Sequence, residues 1–571
     1  MSLSVIKRIL LSLFAALLLI LSFPKFDFQL LAWIALVPLF LAIKDRTLKI
    51  VFGLSFFTGI CFFEGVFYWI NGVKGFALLE NLALGIYLGL YFGIFGLLLH
   101  LISKKTKFSL IITAPVLWVS LEYLRSNAGF LALPMALIGH SQYLNIPLIQ
   151  IASMTGAYGV SFLVVMVNAV LSEIVWSVVS KRSVSNELHR CKAERHPNIS
   201  PPLTGGDEGE GENKFKNHPH PNPPPSMGRE FLENLRAGAR TILLIKSSIV
   251  LILLASTLVY GYIVISQQPR GEKISVTVIQ GNISQDIKWN PLFRKQNLDK
   301  HIKLTKEAVN NREPSLIVWP ETSVTVPVKQ DLYALLALTS LMKEINSSLL
   351  FGSSQSPKFG SAEFRRANNF NSAFLISYDK GFAGQYNKIH LFPFGEYLPF
   401  EGNIPWPARL SSFLSETGTI IPGKEYTIFH LEGPRFGTVI CWESIFPSLF
   451  RQFVKKGAHF MINMTNEAWF GQTAAPYQFL ASTIFRAVEN RVSIARSANT
   501  GISCFISPYG EIIGKVKNKN KDIFVEGYLT MAIPLSHQKT FYTLYGDIFA
   551  YMNIFLTMLL IALSLLKIRR G

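Results

Sequence analysis

Three short runs in the second half of the chain end apolar stretches on residues that can do chemistry. Ser315-Leu316-Ile317-Val318-Trp319-Pro320-Glu321 reads as a strand halted by a proline, which then presents a carboxylate. Tyr386-Asn387-Lys388-Ile389-His390-Leu391-Phe392-Pro393-Phe394-Gly395-Glu396 sets a lysine in a loop of aromatics and prolines. Gly437-Thr438-Val439-Ile440-Cys441-Trp442-Glu443-Ser444 reads as a strand stopping at a cysteine, with helix-like sequence after it. A thiol, an ammonium and a carboxylate are residue types that can each take part in nucleophilic or acid–base chemistry. A cysteine at a strand-to-helix turn is expected near backbone N–H groups and a helix's positive end, which favours thiolate. Taken singly, Glu, Lys and Cys at element ends usually cap, solvate or pack. His390 also raises a Cys–His pairing, but Lys388 two residues earlier fills the same place.

The elements that must position these residues lie at about 272–535. Short β-rich runs occur at Ile274 to Ile279, Ser315 to Trp319, Ser348 to Phe351, Ala373 to Ile376, Gly437 to Cys441 and His459 to Met464. Helical stretches such as Arg294 to Asn311 and Leu332 to Glu344 come between them. Strands alternating with helices predict one α/β domain whose sheets are covered by helices. Cys504 sits in a strand-like stretch and is expected to pack in the core. Cys61 and Cys191 complete the cysteines; no pair has zinc-ligand spacing and the four make no disulfide framework.

The rest of the chain suits lipid. Half of the 571 residues are hydrophobic and only 16% are charged. Candidate spans lie at about 8–23, 28–43, 50–70, 78–102, 108–125, 158–179, 243–266 and 543–566, the second being the shortest. With eight spans, Lys7/Arg8, Lys44/Arg46/Lys49, Lys104/Lys105/Lys107, Lys181/Arg182, Arg236/Arg240 and Lys567/Arg569/Arg570 all fall on one side, predicted to be the cytoplasm; Lys74 and Arg125 are exceptions. The first span is expected to be a retained anchor, since no small-x-small cleavage site follows it. The charge of +19 is accounted for by these helix ends, and no RNA- or DNA-binding motif occurs, so nucleic acid is not an expected partner. Residues 183–235, rich in Pro, Gly, Asn, His and charge, read as a disordered cytoplasmic insert. Its His189, His196, His218 and His220 lack a rigid element to organise them around a metal.

The three active runs, in this order and spacing, resemble the nitrilase superfamily with its Glu–Lys–Cys triad. The membrane half narrows the resemblance to the apolipoprotein N-acyltransferase family. Ser22-Phe23-Pro24 and Leu31-Ala32-Trp33-Ile34-Ala35-Leu36-Val37-Pro38-Leu39 look like its opening. Trp118, Glu122, Arg125, Gly139-His140-Ser141-Gln142 and Gly156-Ala157-Tyr158-Gly159 resemble its midsection. Gln280-Gly281-Asn282-Ile283 with Lys288-Trp289, then Phe394-Gly395-Glu396-Tyr397-Leu398-Pro399 and Asn466-Glu467-Ala468-Trp469-Phe470-Gly471, match its soluble part. Trp442 and Glu467 stand where many members have Tyr and Asp, and Asn127 to Phe130 and Leu133 to Met135 depart from the family's aromatic-rich loop.

The resemblance implies a polytopic helical membrane domain of about eight spans plus an extramembrane αββα sandwich. The expected divisions are 1–182 (six spans), 183–240 (disordered insert), 241–270 (seventh span), 271–537 (catalytic domain) and 538–571 (last span and basic tail). It implies Cys441 as nucleophile, Glu321 as general base and Lys388 as oxyanion partner, with Glu396, Trp289, Trp442 and Glu443 binding substrate or supporting the triad. No cofactor or metal is expected. The implied donor is a phospholipid, the acceptor the α-amino group of a lipoprotein's diacylglyceryl-cysteine, and the place a bacterial inner membrane, with the catalytic domain periplasmic and both termini cytoplasmic. A membrane-tethered amidase and a non-catalytic membrane scaffold are the competing readings.

Overall fold

The computed structural model describes residues 5–73, 76, 78–106, 108–193, 225–267, 271–311, 313–356, 369–401, 403–404 and 419–569. Among these, six helices are long and apolar enough to cross a bilayer: Val5–Ser22, Leu48–Val66, Leu78–Lys105, and the apolar stretches Ala157–Val179, Thr241–Ser266 and Ile548–Leu566. Leu110–Ser126 is a further helix of 17 residues, tied to the last one by the hydroxyl pair Ser120–Thr557 at 2.8 Å.

The expected second span is broken. Gln29–Trp33 is a 3-10 turn and Val37–Ile43 a separate short helix, with Pro38 in its first turn. Asn168 bridges the break: its Oδ1 accepts from the Leu36 N–H at 2.8 Å and its Nδ2 donates to the Ala32 carbonyl at 2.8 Å. A buried amide thus pairs backbone groups that an interrupted helix leaves bare, which is what hydrocarbon requires. The disordered insert also needs correcting at its flanks. Helix Ala157–Ala193 runs past the expected limit of 182, and the next begins at Pro225, ahead of 241. Both flanks are charged but, after Pro225, free of proline, and Pro225 takes a first-turn place that suits it. The remainder of the insert lies outside the described residues.

The α/β domain has two six-stranded sheets. The first comprises β1 (Lys273–Gln280), β2 (Leu316–Val318), β3 (Ser348–Gln355), β4 (Phe370–Ser377), β5 (Gly381–Asn387) and, at its far edge, a C-terminal strand, Gly527–Pro534. The second contains β6 (Ile428–His430), β7 (Arg435–Ile440), β8 (Phe460–Thr465), β9 (Ser493–Ala498), β10 (Cys504–Ile506) and β11 (Ile512–Lys515), in sequence order across the sheet. β1, β2 and β3 are mutually parallel, as are β7, β8 and β9. Alternation sorts the core: Val276, Val278, Leu316, Val318 and Leu350 join the cluster that includes Val439 and Met464 of the second sheet. Their neighbours Ile279, Ile317, Trp319, Leu349 and Phe351 pack instead with Leu304 and Leu338 of the covering helices. This is the expected αββα sandwich.

The sandwich is seated on the membrane half by helix Ala475–Asn490, which is buried along its length except at Tyr477. Its Gln478 Nε2 donates to the carbonyls of Val66 at 2.9 Å and Pro24 at 3.2 Å, and its Oε1 accepts from Trp69 Nε1 at 3.0 Å. Glu489 Oε1 accepts the Ala157 N–H at 3.1 Å. At the other end of the bundle Lys44 covers the Trp176 ring at 4.1 Å, and Ser109 joins Lys246 at 3.0 Å to Glu173 at 3.2 Å. Lys104 and Lys105, in the last turn of their helix, lie at the end opposite the one that faces the sandwich. Lys44, Lys104 and Lys105 therefore lie away from the α/β domain.

Candidate active site

The ends of three strands, two from the first sheet and one from the second, converge. Glu321 follows β2 after Pro320, Lys388 follows β5, and Cys441 follows β7. Cys441 has φ +56° and Thr322, beside Glu321, φ +45°. Residues with side chains enter that left-handed region at a cost on the order of 1–3 kcal/mol, so the surrounding packing must hold both.

The Glu321 carboxylate is fixed from two sides. Oε1 accepts from Asn371 Nδ2 at 2.8 Å and Oε2 from the Asn466 N–H at 2.8 Å. Lys388 Nζ lies 3.8 Å from Glu321 Oε1 and 2.8 Å from Glu396 Oε1. Lys388 is 1% exposed. Burial alone would lower its pKa, but Glu396 and then Glu321 outweigh that and hold it above the usual lysine value. Glu396 is set in turn by the Phe392 N–H at 2.7 Å and shares Asn371 with Glu321 at 3.3 Å.

Around Cys441 the expected thiolate stabilisation does not hold. The turn Cys441–Ile445 is one short 3-10 segment, too brief for an appreciable dipole. Burial first and the Glu321 charge second push the thiol up to about 12, against the opposing effects of Lys388 and a Thr465 hydrogen bond. A thiol held protonated needs a base at the moment of attack. The turn itself is anchored from behind. Asn463 Nδ2 reaches the Cys441 carbonyl at 3.4 Å, Arg496 Nε donates to Asn463 Oδ1 at 3.0 Å, and Arg496 pairs with the buried Glu467. Glu443 is wholly buried and accepts the N–H groups of Ile440 at 2.7 Å, Ile389 at 2.7 Å and His390 at 2.9 Å, and the Tyr386 hydroxyl at 2.9 Å. Its carboxylate is spent on the protein frame rather than turned to a substrate.

Beside the site is an apolar cavity of about 510 Å³. Trp442 and Ile445 of the cysteine's turn and Phe392 and Phe394 of the lysine's loop line one side; Trp69, Tyr87 and Leu131 of the membrane half line the other. Trp442 is held by its Nε1, which donates to the His390 carbonyl at 2.8 Å, and by the ring of Phe392 at 4.9 Å.

Residues 15–170 match the family described as Apolipoprotein N-acyltransferase N-terminal domain, and residues 275–537 match Carbon-nitrogen hydrolase. An apolipoprotein N-acyltransferase of Geobacter metallireducens is 33% identical over 555 residues, covering 95% of this chain and 92% of its own. The chain belongs to the apolipoprotein N-acyltransferase family. A second relative of that name, from Chlorobaculum tepidum, is 25% identical over 95% of this chain and 93% of its own. Among solved structures, Nit3 of Saccharomyces cerevisiae, from the nitrilase superfamily, is 18% identical over 46% of this chain and 90% of its own, with a TM-score of 0.36.

In this apolipoprotein N-acyltransferase the membrane half shapes the cavity through the loop after Leu110–Ser126. Arg125 donates to the carbonyls of Leu133 at 2.7 Å and Met135 at 2.8 Å. Glu122 Oε1 accepts from Trp118 Nε1 at 2.9 Å and the Ile138 N–H at 2.7 Å. Phe130 of that loop meets Phe400 of the catalytic domain edge-on, ring centres 5.4 Å apart. Of the residues expected from sequence, Glu321, Lys388, Cys441, Glu396, Trp442 and Glu443 come together. Trp289 does not line the cavity and is 47% exposed; its neighbour Lys288 turns inward and donates to the Glu321 carbonyl at 2.8 Å. Lys288 and Asn466 fell within runs that matched the family but received no role from the sequence, and Asn371 was not singled out.

Proposed function

We propose that this acyltransferase moves an acyl chain from a membrane phospholipid to the free α-amino group of a lipoprotein's diacylglyceryl-cysteine, through a thioester on Cys441. The convergence of Glu321, Lys388 and Cys441 beside an apolar cavity carries the reading. Glu321 takes the Cys441 proton as sulfur attacks the ester carbonyl. Lys388 faces the oxyanion of the tetrahedral intermediate. Collapse breaks the ester C–O bond, and the leaving alkoxide takes the proton from Glu321, so a lysophospholipid departs and the acyl chain stays on sulfur. A neutral amine then attacks the thioester, Glu321 accepts its proton, the C–S bond breaks, and the proton returns to the thiolate. The product is an amide and the enzyme is regenerated.

Glu396 positions Lys388, Glu443 supports the two loops, and Trp442 forms cavity wall. Trp289 is assigned to the exposed approach. The site lies at the end of the bundle away from Lys44, Lys104 and Lys105, which supports a periplasmic catalytic domain with both termini cytoplasmic in a bacterial inner membrane. Intact-protein mass spectrometry after incubation with defined phospholipids tests this. An acyl adduct on Cys441, discharged only by a diacylated lipopeptide amine, is expected. A Cys441→Ala variant with full activity, or an adduct that water removes as fast as it forms, would sink the reading.

A further inference from the structure

Lys288 is a second buried cation that the mechanism above does not use. It ends the short helix Gln285–Lys288 after β1 and is 3% exposed. Its Nζ donates to the main-chain carbonyl of Glu321 at 2.8 Å, next to the left-handed Thr322. Its own carbonyl is held by Asn297 Nδ2 at 3.4 Å, so the lysine is anchored at both ends. An isolated buried ammonium is costly unless charge nearby compensates it. A hydrophobic residue would fill the space more cheaply, so the charge itself calls for a role.

Resting on the reading of Cys441 and Glu321 as nucleophile and base, we propose that Lys288 is a positioning residue. Its ammonium fixes the main chain of the base and supplies positive charge toward the pair that exchanges the proton. The groups facing it are Glu321 after β2, Cys441 after β7, and His301 on helix Arg294–Asn311, with Lys388 and Glu396 beyond Glu321. His301 is pushed down to about 4, first by burial, so it stays neutral and does not substitute for the charge. Burial lowers Lys288 to about 8, against the raising effects of Glu321 and Cys441. Its charge is therefore present at neutral pH and lost as pH rises through that value.

The test compares full-length wild type, Lys288→Met and Lys288→Arg in phosphatidylethanolamine–phosphatidylglycerol nanodiscs. Two rates are followed against pH: acylation of Cys441 by the nanodisc lipid, and its alkylation by iodoacetamide, which needs no lipid. In wild type, acylation should decline above pH about 8 as Lys288 loses its proton. Lys288→Met should acylate about 100-fold more slowly, without that alkaline limb, and its alkylation profile should shift by falling below wild type under about pH 8 and meeting it above, where wild-type Lys288 is also neutral. Lys288→Arg should keep most of the rate and lose the limb. A Lys288→Met enzyme with wild-type rates and profiles overturns the proposal, as does a slow one whose limb and alkylation profile stay put. Should Lys288→Met melt out, Lys288→Arg decides: an unmoved limb overturns, a lost limb supports. If lipid leaves wild-type Cys441 unmodified while alkylation shifts in Lys288→Met, the acyl-carrier reading fails and the assignment of Lys288 stands.

Discussion

The Glu443 carboxylate accepts the main-chain N–H of Ile389 at 2.7 Å, and this bond joins the turn of Cys441 to the loop of Lys388. The same carboxylate also holds His390, Ile440 and Tyr386. In Glu443→Gln an amide N–H₂ would face donors, leaving buried groups unpaired at a cost on the order of 1–3 kcal/mol. A lowered melting temperature together with slower Cys441 alkylation is expected. Unchanged alkylation in a well-folded variant would mean that the two loops do not depend on the bracket.

The Cys441 thiol, pushed up to about 12, should stay protonated across the physiological range. Iodoacetamide alkylation should rise with pH without a plateau below about pH 10. A plateau near neutrality would show a preformed thiolate and remove the need for Glu321 as base.

Glu321→Gln keeps a carbonyl for Asn371 but cannot take a proton. Acyl-enzyme formation should fall by about 100-fold or more, with the fold intact. Lys388→Met removes the cation between Glu396 and Glu321, and breaking so buried a pair should destabilise by about 3–5 kcal/mol as well as abolish turnover. Thermal melts and single-turnover acylation separate the two variants.

Gly352 on β3 passes directly under Glu321. A Cβ there would lie 2.3 Å from the Thr322 nitrogen and 2.9 Å from Glu321 Cα. Main chain cannot yield as a flexible side chain does, so Gly352→Ala should displace Glu321 and cost about 1–3 kcal/mol. Single-turnover acylation should drop while far-UV circular dichroism is retained; normal acylation would show that the strand shifts instead.

Phe130 and Phe400 meet across the two halves of the molecule. Replacing both with alanine should weaken phospholipid use, read as a raised KM, while iodoacetamide still labels Cys441. Loss of labelling as well would point to collapse of the loop rather than loss of lipid contact.

The meeting of Glu321, Lys388 and Cys441 was legible because each closes a β-rich run, and such ends converge when parallel strands share a sandwich. The sandwich was legible for a like reason: short apolar runs alternate with longer amphipathic ones. Asn371 and Asn466 were not legible, since an asparagine in a strand or turn signals nothing until it has two carboxylates to choose between. Lys288 and Trp289 were legible as a pair but not as to which turns inward, a matter of one residue's rotation on a single helical turn. The break at Leu36 escaped notice because Asn168, which repairs it, lies 132 positions away. Helix Ala475–Asn490 reads as amphipathic, yet it is enclosed on all sides because the membrane half covers the face that solvent would otherwise take.

The cavity's walls are drawn from both halves of the chain. Under the proposed reading, a phospholipid donor would reach it by sliding within its own leaflet, a search in a plane rather than through a volume. Such a donor would form the surrounding medium and always be at hand, so tight capture would bring no gain in rate. Selectivity would then fall to the rarer visitor, the lipidated amine.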